Sequence, residues 1–313
     1  MSSLCSHIPL LYSTRGDILD CIYYGSLYHF KDGKISSYLG ESPDKLVYMR
    51  SLAKPLQASI MCDTNVISDF NLKEEEIAMF CASHAGSSAH IKVLEKLLKK
   101  FNLSQDDLVL APQRPLDDRE FDGQKTKLQN NCSAKHIMML IMCQYFNFNI
   151  KNYNSPNHPL QKIILKKQQE LSEEKCEFLS YDGCSTPLWA ISYEGILRSY
   201  FKLLNDKKYE ILFNSILKYP NLFGGYSRFD SEIIELSSGK LFSKVGAGGF
   251  VIVYNFKKNE FLLVKMAQNN NEIRRLVTLD LLNKLGWLEY KKEEYEINQI
   301  GQKVAKYHYE ISF

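Results

Sequence analysis

"CIYYGSLYHFKDGKISSYLG", residues 21–40, sets two β-prone runs on either side of an Asp-Gly pair. Tyr, Ile and Phe suit a pleated, half-buried surface, and Asp-Gly supplies the left-handed backbone of a tight hairpin turn. The pattern recurs at the other end of the chain, where "GFVIVYNF" and "EFLLVKMA" flank "KKN" across residues 249–267. Between the two hairpins the period changes. "SAHIKVLEKLLKKF" (88–101) puts Ile91, Leu94, Leu97 and Leu98 on one helical face behind Ser87 or Ser88 as N-cap. "SAKHIMMLIMCQYF" (133–146), "LQKIILKKQQELSEE" (160–174) and "PLWAISYEGILRSYFKLL" (187–204) read as further helices, and "NYNSPNHP" (152–159) as a surface loop. Hairpins at both ends of a helical middle predict an α+β fold, with one antiparallel sheet built from both chain ends and helices packed on it. The expected organisation is a single catalytic unit over residues 1–313. Its sheet comes from about 1–50 and 236–313, and its mainly helical part from about 51–235.

Composition bounds the function. With 45% hydrophobic residues in 313, the chain can bury a large core. Thirty-nine basic side chains against 36 acidic ones leave +3, so nothing calls for nucleic acid or another polyanion. "MSSLCSHIPLLYSTRG" lacks the basic and apolar regions of a secretory leader, and no apolar run approaches the ~20 residues that span a bilayer. No membrane partner is expected, and the expected location is cytoplasmic. Eight irregularly spaced cysteines read as reduced thiols, some of them available to a metal.

Ser51 and Lys54, in "MRSLAKPLQA", have the Ser-x-x-Lys spacing of a nucleophile and its base. The spacing also begins at Ser42, Ser172, Ser199, Ser215 and Ser237, so context must choose among six copies. Pro55 supplies that context. A proline belongs in the first turn of a helix, which puts Ser51 at or beside the helix start and Lys54 about one turn on, within reach of its hydroxyl. Unpaired N–H groups there favour an anion. The alternative is an ordinary N-cap serine beside a surface lysine. A working base requires Lys54 to be neutral near pH 7, through burial or a neighbouring cation.

Three other stretches carry chemistry. "CASHAGSSAH" (81–90) sets Ser83 beside His84, but chain neighbours point apart, and a loop closed by Gly86 is the simpler reading. "NNCSAKH" and "YDGCSTP" bring Cys132, Lys135 and His136 within one turn, and Cys184 into a tight turn behind Asp182. Two thiolates and a third donor suit zinc, although no Cys-x-x-Cys pair is present and spacing alone favours buried free cysteines. "KVGAGGFVIVY" (244–254) is rejected as a nucleotide loop because a strand, not a helix, follows the glycines.

In order and spacing, "RSLAKPLQA", "CASHAGSSAH", "NNCSAKHIMML", "YDGCSTP", "KVGAGGF" and the lysine of "FLLVKMA" resemble the Rhizobium-type (class 3) L-asparaginase family. The resemblance implies a fold similar to serine β-lactamases and serine-dependent glutaminases. It implies hydrolysis of L-asparagine to L-aspartate and ammonia through an acyl-enzyme. It makes Ser51 the nucleophile, Lys54 its base, and Ser83 with Lys265 a second Ser and Lys pair. Cys132, Lys135 and Cys184 match the family's zinc ligands, one zinc per chain, and Arg50, His136 and Asp182 match its substrate pocket or the metal's surroundings. A homodimer is likewise implied. Two departures stand out: Ser87 where an acidic residue is expected, and Ala134 where glycine is common. They bear on substrate preference, and the alternatives are a glutaminase or other small-amide hydrolase, or a zinc-binding protein that has lost catalysis.

Overall fold

The Asp-Gly turn forms as its sequence requires: Asp32 and Gly33 have φ of 53° and 76°, and Lys31 faces Lys34 across it. The computed structural model describes residues 6–119 and 121–311; residues 1–5, where the segment read for a leader begins, lie outside them. Strands β1 (Ile8–Arg15), β2 (Ile18–Lys31) and β3 (Lys34–Leu39) open the chain. β4 (Leu46–Tyr48), β5 (Leu179–Tyr181) and β6 (Pro187–Ser192) follow. The C-terminal part supplies β7 (Leu241–Gly246), β8 (Phe250–Asn255), β9 (Glu260–Met266), β10 (Tyr295–Ile297) and β11 (Lys303–Tyr309).

Among the described residues eight strands make one antiparallel sheet, in the order β10-β11-β1-β2-β9-β8-β7, with β3 also paired to β2. The two chain ends meet directly, Leu11 opposite Tyr309 and Thr14 opposite Lys306. Alternation along the central strands divides the core. Phe242, Phe250, Ile252, Phe261 and Leu263 enter the larger cluster, shared with the helices of the middle. Leu241, Val245, Val251, Val253 and Leu262 enter a smaller one, closed by Ile233 and the helix Asn271–Lys284. Each such side chain contributes about 1.5–3 kcal/mol by leaving water. Because both faces are covered, the central strands read as nearly continuous apolar runs.

The stretch 187–204 departs from the expected single helix. Its first six residues are β6, which joins β4 and β5 in a second, three-stranded sheet, and the helix starts only at Tyr193. Ser192 sets that boundary, its Oγ accepting the Gly195 N–H at 2.8 Å as an N-cap. The loop at 152–159 is only partly a surface loop, since it inserts the fully buried Tyr153 into the larger core. No helix among the described residues is long and apolar enough to cross a membrane.

Candidate active site

Ser51 occupies a short turn, Arg50–Leu52, that runs straight into the helix Ala53–Ala58, with Pro55 third in that helix. Arg50 has φ 52°, a left-handed geometry that costs a side-chain-bearing residue about 1–2 kcal/mol. Its Nε donates to Asp182 Oδ1 at 2.8 Å, and the Gly183 N–H donates to the same oxygen. Ser51 lines a cleft of about 280 Å3 together with Arg50, Asn131, Cys132, Asp182 and Ala247.

Lys54 points away from solvent and is fully buried. Its Nζ donates to the Ala82 and Asn131 carbonyls, both at 2.8 Å, and lies 3.1 Å from Ser83 Oγ. The expected bond to Ser51 is replaced by this set, because a buried amine must satisfy its N–H groups and two free carbonyls stand beside it. Asn131 also lines the cleft, so the amine lies against the cleft from inside. Burial, followed by the Lys135 charge, pulls the Lys54 pKa below its ordinary value, against the nearby sulfurs and Asp182. A neutral amine has two N–H groups and one lone pair. With the carbonyls taking two N–H groups, the third position donates to Ser83 Oγ in the charged form and would offer that hydroxyl a lone pair once the amine is neutral.

Ser83 has a second amine, but it comes from Lys244 and not from Lys265. Lys244 Nζ is 3.0 Å from Ser83 Oγ and 2.9 Å from Asp230 Oδ2, completely buried. Lys265 Nζ donates instead to the carbonyls of Gly248 at 2.6 Å and Met266 at 2.8 Å. Strand geometry explains the exchange. Residue 244 shares the Phe242 face of the edge strand β7, toward the larger core and the loop that carries Ser83, while residue 265 lies near the end of β9 against the β7–β8 turn. Burial and the Lys54 charge bring Lys244 down to about 8, with Asp230 opposing. A lysine inside "LFSKVG", a strand whose six residues are all buried, was the available signal.

Cys132, Lys135 and Cys184 converge at the cleft wall. Lys135 Nζ is 3.0 Å from Cys184 Sγ and 2.8 Å from Thr186 Oγ1. The neighbouring Cys132 thiol, then the Lys135 ammonium, depresses Cys184 far below the usual thiol range, while Cys184 and burial push Cys132 up. His136 does not line the cleft. It sits behind these sulfurs, with Nδ1 at 2.6 Å from the Tyr153 hydroxyl and a buried Nε2 that has no hydrogen-bond partner. No group of three His, Cys, Asp or Glu side chains among the described residues is arranged for a metal, so a metal here depends on Lys135.

His84 turns away from Ser83. Its Nε2 is 2.9 Å from Ser133 Oγ, and its ring stacks on His90 with centroids 5.1 Å apart. Burial lowers both imidazoles, His90 to about 4. Ser87, where an acidic side chain was expected, begins the next helix, with Oγ 2.7 Å from His90 Nδ1.

The family model described as L-asparaginase II matches residues 11–311. Coverage of that extent defines an amidohydrolase of asparaginase type. The chain belongs to the L-asparaginase II family. Among solved structures it is similar to a putative β-lactamase from Bacteroides dorei, at 11% identity and a TM-score of 0.47 over 83% of this chain and 93% of that one. A β-lactamase from Mycobacterium bovis matches at 11% identity and a TM-score of 0.43, over 83% and 94% of the two chains. The values are the same for a class C β-lactamase from Rhodobacter sphaeroides. No curated protein matches the chain.

Proposed function

We propose that the chain hydrolyses L-asparagine to L-aspartate and ammonia, with Ser51 as nucleophile and Lys54, Ser83 and Lys244 as the proton relay. The observation that carries this reading is one hydroxyl, Ser83, held between two buried lysine amines beside the cleft that Ser51 lines. Ser51 attacks the side-chain amide carbon and gives its proton to Lys54, whose amine turns from the Asn131 carbonyl at the cleft wall to take it, while N–H groups of the opening turn stabilise the oxyanion. Lys54 then protonates the departing nitrogen. Ammonia leaves, and water activated by the same amine cleaves the acyl-enzyme. The second lysine makes protonating the first more costly and keeps a neutral base available.

Arg50 and Asp182 offer opposite charges at the cleft mouth, the complement of an amino acid's α-carboxylate and α-ammonium. Cys132, Lys135 and Cys184 would hold zinc. Their donor chemistry fits, with soft sulfurs in a buried pocket and the unpartnered His136 Nε2 behind them. Lys135 must lose its proton to bind. When bound, the metal would supply a fixed positive charge at the cleft wall that orients substrate. A homodimer and a cytoplasmic location complete the reading.

The test is ammonia release from asparagine and from glutamine in parallel, by wild type and Ser51→Ala. We expect release from asparagine in excess of glutamine, and none from the variant. Release from neither amide by the wild type would sink the reading; release favouring glutamine would reassign the substrate.

A further inference from the structure

The turn between β7 and β8, Ala247–Gly249, forms part of the cleft wall through Ala247. It has little intrinsic rigidity, since Gly248 and Gly249 both sit at positive φ, 77° and 85°. Yet its carbonyls are gripped. Lys265 Nζ donates to Gly248 at 2.6 Å and to Met266 at 2.8 Å, and sits 5.2 Å from the Phe250 ring centroid. Arg274, buried on the helix Asn271–Lys284, donates to the Gly246 carbonyl at 3.3 Å. Lys265 follows Phe261 and Leu263 on the face of the larger core, and Arg274 comes from the helix on the smaller one. The turn is therefore held from both faces of the sheet. Backbone packing adds to this: the Met266 N–H donates to the Gly249 carbonyl at 2.9 Å, and a Cβ at Gly246 would lie 3.2 Å from the Met49 carbonyl and from Leu52, beside Ser51.

From this geometry we infer that Lys265 and Arg274 are positioning residues, a two-cation clamp that fixes the Ala247 amide against the Ser51 cleft. A trans peptide is planar, so its carbonyl and N–H point in opposite directions. With the Gly246 carbonyl turned to Arg274, which does not line the cleft, the Ala247 N–H of the same peptide is turned to the cleft that Ala247 does line. The clamp moves no proton. Its effect on turnover rests on the Ser51 reading above, but its effect on the turn does not.

Lys265→Met, Lys265→Arg and Arg274→Met test it with two readouts. The first is hydrogen–deuterium exchange of the backbone at 246–250. The second is the pH dependence of kcat and KM for asparagine. We expect faster exchange confined to that turn in both Met variants, and kcat reduced about 10- to 100-fold with a smaller change in KM. The pH midpoint stays at its wild-type value, and Lys265→Arg restores most of kcat by keeping a charged donor. Unchanged exchange at 246–250 in both Met variants overturns the clamp, and so does a shifted pH midpoint in Lys265→Arg, which would make residue 265 a titrating member of the relay. Should the wild type hydrolyse no amide, the asparaginase reading falls and the exchange measurement alone decides the clamp.

Discussion

Lys244 and Ser83, 161 residues apart in sequence, meet at 3.0 Å inside the protein, and the Asp230 carboxylate holds the lysine there from its other side. Three groups that share no local motif thus become one hydrogen-bonded chain, which continues to Lys54. Removing the amine while keeping the stem, Lys244→Met, should lower kcat/KM by about 10²- to 10⁴-fold, the usual scale for one member of a proton relay. Steady-state ammonia release measures it; a loss below threefold would exclude Lys244 from the chemistry.

The same lysine predicts a pH dependence. Its amine titrates at about 8, so it is protonated below that pH and neutral above it. kcat/KM should rise as pH increases through about 8 and then level, and Lys244→Arg, permanently charged, should lose that limb. The linked stability effect has a defined sign. The folded value lies below the ordinary 10.5, so the folded state binds fewer protons between the two, and stability rises with pH across about 8 to 10.5. Urea midpoints at pH 8 and 10 should separate more for wild type than for Lys244→Met.

Ser51 and Ser83 can be told apart by trapping the intermediate. Acid quenching during turnover, followed by intact-mass measurement, should show an acyl adduct on wild type and none on Ser51→Ala. Ser83→Ala should still acylate, at least about tenfold more slowly, because the hydroxyl it loses only conducts protons. An adduct at wild-type level on Ser51→Ala would remove Ser51 from its role.

Metal analysis of purified protein should find close to one zinc per chain in wild type and far less in Cys184→Ala. Cys184 is the sulfur on which Cys132, Lys135 and His136 all act. Full occupancy in the variant would reject the ligand set.

Tyr153→Phe tests the support behind the sulfurs. The hydroxyl is 2.6 Å from His136 Nδ1 and accepts the Val109 N–H at 3.0 Å. Its loss leaves a buried imidazole nitrogen and a backbone N–H without their partner, costing about 1–3 kcal/mol. Urea unfolding checks this; an unchanged midpoint would show that water replaces the hydroxyl.

What was legible in the sequence was local. Asp32-Gly33 fixed a hairpin through backbone conformation, Pro55 located the helix start, and the 3.6-residue period found the helix Ser88–Lys100. The resemblance pairs Ser83 with Lys265, and the pairing with Lys244 is not legible for a physical reason. Alternation tells which residues of a strand share a face, but not which strand stands at the sheet edge beside Ser83, and that is set by pairing between distant segments. Lys54 was found as a residue but misdirected, because its acceptors are the carbonyls of Ala82 and Asn131, which no motif records. Pro187–Ser192 reads as helix from sequence because a short apolar run is ambiguous until its neighbours β4 and β5 are known.

The pairing of β1 with β11 has a consequence for biosynthesis. Thr14 and His308, hydrogen-bonded at 3.1 Å, are 294 residues apart. The ribosome must emit all of the intervening residues before β11 exists, so β1 keeps one side open while they are made. An open strand edge invites association with other chains. A version ending at Tyr290, lacking β10 and β11, should therefore aggregate where the full chain does not, which light scattering after dilution from urea would record. In this architecture β11 closes the side of β1 that β2 leaves open.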